Sequence, residues 1–210
     1  MTTANQITLG RIVLVPFFVV QLLYYFRTGD ELHRYLAMAA FLVATISDGV
    51  DGYLARHRGQ ATQLGSYLDP LADKLLMFSG LIVLSIEFES NPFEQRIPLW
   101  LTGVVIGRDA IVVTGSALLF AVLGNVEVKP LFMSKTSAVL QMVLIGWVLC
   151  KLPGIGTVAL AAAVAVTTVI TGVLYVREGI RQFSEHPAAQ PEDEQDFVWL
   201  IAKLDYKNPQ

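Results

Sequence analysis

Four aspartates stand close together in a chain that is otherwise strongly apolar: Asp48 and Asp51, then Asp69 and Asp73. Carboxylates gathered in this way bind cations, and an all-oxygen ligand set suits Mg²⁺, Mn²⁺ or Ca²⁺ rather than a soft metal. The spacing supports that chemistry. Asp48 and Asp51 are three residues apart and Asp69 and Asp73 are four apart. Helical residues at those separations share a face. Two such helices in an antiparallel hairpin let the pairs converge. Gly49, Gly52 and Ala55 thin one helix face, and Gly65 opens the next helix to close approach. Arg56 adds a bidentate donor suited to phosphate oxygens. Metals, a guanidinium and exposed backbone together describe a pyrophosphate site.

The surroundings make those charges expensive. Of the 210 residues 54% are hydrophobic and only 16% charged, and the mean hydropathy is +0.54. Such an excess is hard to cover with water, and the composition points to a membrane protein. One charged side chain at bilayer depth costs about 2.5–3.5 kcal/mol on insertion scales. A single aspartate there is readily a satisfied polar core residue. Four would repel one another, and divalent cations are the simplest offset.

Apolar segments run from about Ile12 to Phe26, Tyr35 to Leu54, Ser66 to Ile86, Ile97 to Leu123, Ser134 to Leu152 and Ile155 to Val176. A spanning helix needs roughly 20 apolar residues. The sequence therefore predicts an all-α integral membrane fold of six transmembrane helices, with the metal site on helices 2 and 3. Turn chemistry at Gly29, Pro92, Pro153 and Gly154 separates several of them. Residues 1–183 form the predicted membrane domain. Residues 184–210 form a polar tail with a short apolar stretch from Phe197 to Leu204, too short to span. The first apolar run lacks a small-residue cleavage site and reads as a retained helix.

Basic residues set the expected orientation. Arg11, Arg56, Arg58, Lys129, Lys135, Arg177 and Arg181 fall on one side, and Arg27, Arg34, Arg96 and Lys151 on the other. The richer side is expected in the cytoplasm, which places both termini and the 56–65 loop there. Cys150 is the only cysteine, so the chain has no internal disulfide, and it reads as a packing residue. Tyr24, Tyr25, Phe26, Trp100 and Tyr175 read as interface anchors. No basic run with interleaved aromatics points to nucleic acid.

The stretch from Asp48 to Asp73 resembles the signature of the CDP-alcohol phosphatidyltransferase family, D-x2-D-G-x2-A-R-x8-G-x3-D-x3-D, with every fixed position filled. The resemblance implies phospholipid biosynthesis: transfer of a phosphatidyl group from CDP-diacylglycerol to an alcohol, with CMP released. It implies two divalent cations, Mg²⁺ or Mn²⁺, held by Asp48, Asp51, Asp69 and Asp73, with Asp73 also the general base. Gly52, Arg56, Thr62 and Gly65 would bind the CDP-lipid. Asn5 and Thr8, just before the first helix, resemble the family's N-terminal nucleotide element, although such residues also cap helices. The resemblance further implies a homodimer in a bacterial inner membrane.

The acceptor half is less sharply written. Thr8, Gly10, Arg11, Pro16 and the Asp69–Lys74 stretch resemble the glycerol-type branch: phosphatidylglycerophosphate synthases and cardiolipin synthases. Arg108-Asp109 and the 128–135 stretch resemble the eukaryotic-type cardiolipin synthases, where the phosphatidylglycerophosphate synthases usually carry Arg-Glu and another arginine eight residues later. Here Asp109 and Ser116 hold those places. The lost cation favours phosphatidylglycerol over glycerol 3-phosphate as acceptor. Arg108 and Lys135 are the expected acceptor-phosphate residues. Adjacent helical residues point about 100° apart, so Arg108 and Asp109 need not pair, and ion pairs to other helices are the structural alternative. Two other functions fit intramembrane carboxylates. A prenyltransferase would carry its aspartate motifs far apart in the chain, and a cation channel or carrier leaves the glycine and arginine framework without a role.

Overall fold

A computed structural model describes residues 3–58, 63–88, 92–93, 95–123 and 132–185, with side chains described at 10–47, 74–88, 92–93, 95–119, 121 and 134–181. The described chain is helical: α1 (Thr3–Thr28), α2 (Glu31–Arg58), α3 (Gln63–Ser85), α4 (Leu99–Leu123), α5 (Phe132–Leu149) and α6 (Gly154–Glu185). Each expected apolar segment corresponds to one helix. Several helices run on past the apolar stretch, because polar residues with adequate helix propensity continue the ladder where no breaker intervenes. Asn5 and Thr8 thus lie inside α1, not before it.

Among the described residues, three stretches are long and apolar enough to cross a membrane: Gly10–Thr28, Leu99–Leu119 and Gly154–Arg181. Lys74–Ser85 and Ser134–Leu149 are apolar but shorter. These two stretches are the described parts of the longer helices α3 and α5.

Helix α3 packs against α1, α2, α4 and α5, while α6 packs against α4 and α5. The helix bearing Asp69 and Asp73 is therefore the hub of the bundle. Its upper half is a plain apolar core. Leu76, Leu81 and Leu84 bury against Phe18, Leu22, Leu101, Leu144 and Ile145. Burying each such side chain is worth roughly 1.5–3 kcal/mol.

The turns between α1 and α2 and between α5 and α6 meet at one end of the bundle. Gly29 has φ 69°, and its N–H donates to the Tyr25 carbonyl at 2.9 Å, closing α1 with a left-handed residue. Lys151 does the same for α5 with φ 53°. Tyr25 and Phe26 were expected at the membrane interface, yet they are 0% and 4% exposed. They pack on Phe93, and Phe26 also stacks on Phe88, because the α3–α4 connection folds over this end. Tyr24 and Trp100 are exposed, as expected of anchors. Cys150 is exposed, not packed.

Candidate active site

Helices α2 and α3 place the four aspartates on two packed helical segments. Asp48 and Asp51 lie near the end of α2, and Asp69 and Asp73 lie in the first half of α3. Gly52 and Arg56 continue α2, and Gly65 opens α3. The side chains of all these residues, and of Asn5 and Thr8, lie outside the described set, as does Thr62 entirely. The donor set suits hard divalent cations in chemistry: four carboxylates on two helices, with no sulfur or imidazole among them.

Side-chain geometry becomes visible one residue beyond Asp73. Lys74 forms an ion pair with Asp109 Oδ2 on α4. Asp109 Oδ1 takes a second cation, Arg108. Asp109 is 9% exposed, so its charge is compensated by two partners, as burial demands. Arg108 Nη2 donates to Ser134 Oγ on α5 at 3.0 Å, and its guanidinium lies 5.3 Å from the Tyr175 ring centroid on α6. Arg108 Nε is buried without a hydrogen-bond partner among the described residues. One cluster thus draws together α3, α4, α5 and α6.

This geometry corrects the expectation that Arg108 and Asp109 need not pair. The arginine stem is long enough to bring its head back onto the neighbouring carboxylate, so the angle between adjacent residues does not decide the contact. The cross-helix alternative also holds, through Lys74. Through Asp109 and Lys74 the cluster links Arg108 to the aspartate-bearing helix. Lys135, exposed at the first turn of α5, follows the Ser134 that Arg108 contacts. In the sequence Lys74 has no evident partner, and Asp109 stands out as a departure from Arg-Glu and not as a link. A lysine directly after a ligand-type aspartate, with one acid inside an apolar helix, was the available signal. Tyr175 is a partner of Arg108, not simply an interface anchor.

Polar contacts support the floor of this region. Ser137 and Thr168 hydroxyls lie 3.1 Å apart, and Gln141 Nε2 donates to Ser137 Oγ at 3.2 Å. Arg11 is 1% exposed in α1, a buried cation that the sequence presented as a flank. Beside Arg108, a cavity of about 630 Å³ opens between α4 and α6.

The chain belongs to the CDP-alcohol phosphatidyltransferase family, whose profile matches residues 1–170. It is accordingly a membrane enzyme of phospholipid biosynthesis, using CDP-diacylglycerol and an alcohol acceptor. It is 36% identical over 184 residues to a probable phosphatidylglycerophosphate synthase of Mycobacterium tuberculosis, covering 85% of this chain and 81% of the relative. It is 39% identical over 130 residues to the Bacillus subtilis CDP-diacylglycerol–glycerol-3-phosphate 3-phosphatidyltransferase, covering 58% of this chain and 63% of that one. A probable CMP-forming cardiolipin synthase of Drosophila melanogaster is 39% identical over 110 residues, covering 52% of this chain and 30% of the relative.

Proposed function

We propose that the protein transfers the phosphatidyl group of CDP-diacylglycerol to phosphatidylglycerol, forming cardiolipin and releasing CMP. The observation that carries this reading is the Lys74–Asp109–Arg108 cluster. It fixes an arginine beside the helix that bears Asp73 and leaves that arginine one buried donor without a partner. Two cations share one carboxylate, so the cluster keeps a single net positive charge. That complements the one negative charge of a phosphodiester better than a phosphate monoester dianion. Arg108 and Lys135 bind this acceptor phosphate. The missing arginine at Ser116 agrees with the same choice.

Asp48, Asp51, Asp69 and Asp73 hold two Mg²⁺ or Mn²⁺ ions. When bound, such ions neutralise a pyrophosphate and a departing nucleotide phosphate. Gly52, Arg56, Thr62, Gly65, Asn5 and Thr8 bind the CDP-lipid. Asp73 takes the proton of the acceptor hydroxyl, and Lys74 holds the same turn of α3 against α4. All six helices cross the bacterial inner membrane, with the site toward the cytoplasm. The excess of basic residues at Arg11, Arg56, Arg58, Lys129, Lys135, Arg177 and Arg181 supports that orientation. The functional unit is a homodimer.

A second reading has its own support. The bacterial relatives named above are phosphatidylglycerophosphate synthases by name, which favours glycerol 3-phosphate. One assay separates the two. Purified protein is supplied with CDP-diacylglycerol and Mg²⁺, then with phosphatidylglycerol, glycerol 3-phosphate or inositol phosphate, and the lipid products are identified by mass. Cardiolipin is the expected product. Phosphatidylglycerophosphate alone would establish the second reading, and a product from inositol phosphate alone would reject both.

A further inference from the structure

The cavity between α4 and α6 has a composition that neither the aspartates nor the polar cluster uses. Its walls are largely apolar, with Val104, Ile111, Val169 and Val173 among them. Two cations also line it, Arg108 and Arg177. A second cavity of about 340 Å³ shares Ile111, Val176 and Ile180 with the first and extends it to Leu119. The two form one trough. Helices α4 and α6 run parallel along it, since Gly172 lies against Arg108 and Gly179 against Leu119. At 1.5 Å per residue, Gly103 to Leu119 spans about 24 Å, more than the roughly 15 Å of one bilayer leaflet.

The trough exists because side chains are missing from it. A Cβ added at Gly103, Gly107 or Gly115 would meet nothing within 4 Å. These glycines are therefore not there to let two protein segments touch; open space lies over them. A lipid-facing helix surface alone would need no buried guanidinium. Here the Arg108 Nε atom is buried and lacks a hydrogen-bond acceptor among the described residues, and Arg177 lines the same cavity from α6. An apolar channel with cations on its side complements a molecule with one anionic phosphate and a long hydrocarbon chain.

We infer that the α4–α6 trough seats the acceptor phospholipid, its phosphodiester against Arg108 and Arg177 and one acyl chain along the glycine-lined floor. The inference rests on the reading of the acceptor as phosphatidylglycerol. It adds what that reading lacks, a site for the acceptor's tail, and makes chain length a determinant of turnover. The trough meets the Lys74–Asp109–Arg108 cluster at Arg108, which lines the one and belongs to the other.

The test uses the full-length enzyme in nanodiscs, with two readouts. In the first, wild-type protein is irradiated with a phosphatidylglycerol bearing a diazirine in one acyl chain, and the labelled peptides are mapped. Label is expected on α4 at 103–119 and on α6 at 168–180. In the second, KM is measured for dioleoyl- and dihexanoyl-phosphatidylglycerol in wild type and in Gly103→Leu, whose new side chain grows into open space. The ratio of long-chain to short-chain KM is expected to rise about tenfold, the loss from displacing two methylenes of the longer chain. Arg177→Gln is expected to raise KM for both lipids and leave the ratio alone. Wild-type enzyme that makes cardiolipin but carries its label elsewhere, or an unchanged ratio in Gly103→Leu, would overturn the trough and leave the acceptor reading standing. Wild-type enzyme that accepts only glycerol 3-phosphate would overturn both. Efficient disulfide cross-linking of two Gly103→Cys chains would give the trough to a second copy and also reject the inference. The photolabelling arm needs no variant, so a poorly folding substitution does not protect the idea.

Discussion

Two charged clusters tie this bundle together, and they are built on opposite principles. At the turn end, Glu31 accepts from Arg34 and Lys151 and also from the Tyr25 hydroxyl at 3.2 Å. Arg34 spends its remaining reach on the Leu149 carbonyl at 2.8 Å. Every member of that cluster is matched to another part of the chain. At the inner cluster, Asp109 is shared by Lys74 and Arg108, and Arg108 still keeps one buried donor unmatched. A protein that only needed to hold helices together would finish both clusters in the same way. The unfinished one is tied through Lys74 to the helix that bears Asp69 and Asp73, and under the proposed function an acceptor phosphate completes it.

That contrast can be broken most forcefully at Asp73. Asp73→Asn is expected to lower transfer by about 10²–10⁴-fold, the usual contribution of a general base. CDP-diacylglycerol binding should survive better than in Asp48→Asn, as measured by radioligand retention. Equal loss of binding in the two variants would remove the special role of Asp73. Chelation by excess EDTA should abolish turnover in wild type, and a full rate in EDTA would reject the metal site.

Asp109→Ala should come next. It leaves Lys74 and Arg108 without their carboxylate, and breaking a buried pair from one side costs about 3–5 kcal/mol. Both the melting temperature and the rate should fall, with Asp109→Glu restoring the melting temperature. A normal KM for the acceptor in Asp109→Glu would show that the link positions α3 without shaping the acceptor site. At the turn end the pattern should invert. Arg34→Ala is expected to cost about 1.5–3 kcal/mol through the lost charged hydrogen bond to Leu149, read as a lower melting temperature in detergent, with KM for either substrate unaffected.

The smallest effect is a pH dependence. Hydrogen bonds from Lys151 and then Arg34 pull the Glu31 carboxyl down to about 2. A carboxylate depressed in the folded state stabilises the fold above its unfolded pKa, near 4.5, and that contribution disappears as pH falls toward 2. Melting temperature should therefore decline from pH 4.5 to pH 2 more in wild type than in Glu31→Gln. Parallel curves would show that the turn-end cluster contributes nothing to stability. Glu31 is half exposed, so solvent screens the effect and it should be modest.

Much of the molecule was legible in the residue string. Six apolar runs became six helices, and the aspartate spacing announced the family, because helical periodicity and motif spacing are properties of the local chain. What was hidden was contact between helices. Nothing in the string says that Lys74 meets Asp109, since the pair depends on how α3 and α4 pack. Tyr25 and Tyr175 each read as interface anchors, since an aromatic near a helix end suits either a headgroup or a neighbour. The trough was equally invisible. Its glycines look like ordinary small residues of a membrane helix until their open surroundings are seen.

The hydrogen bond from Arg34 to the Leu149 carbonyl also bears on how the protein is made. Its partners are 115 residues apart in sequence. When α2 emerges from the ribosome, Arg34 has Glu31 and the Tyr35 ring beside it, and the chain end that α5 will present does not yet exist. The first hairpin must therefore wait in the membrane with this guanidinium incompletely satisfied until α5 has been inserted. The last turn of α5 in its turn finds its cap already waiting. The contact can therefore close only after α5 has been made, and it ties the first hairpin to the last turn of a helix synthesised much later.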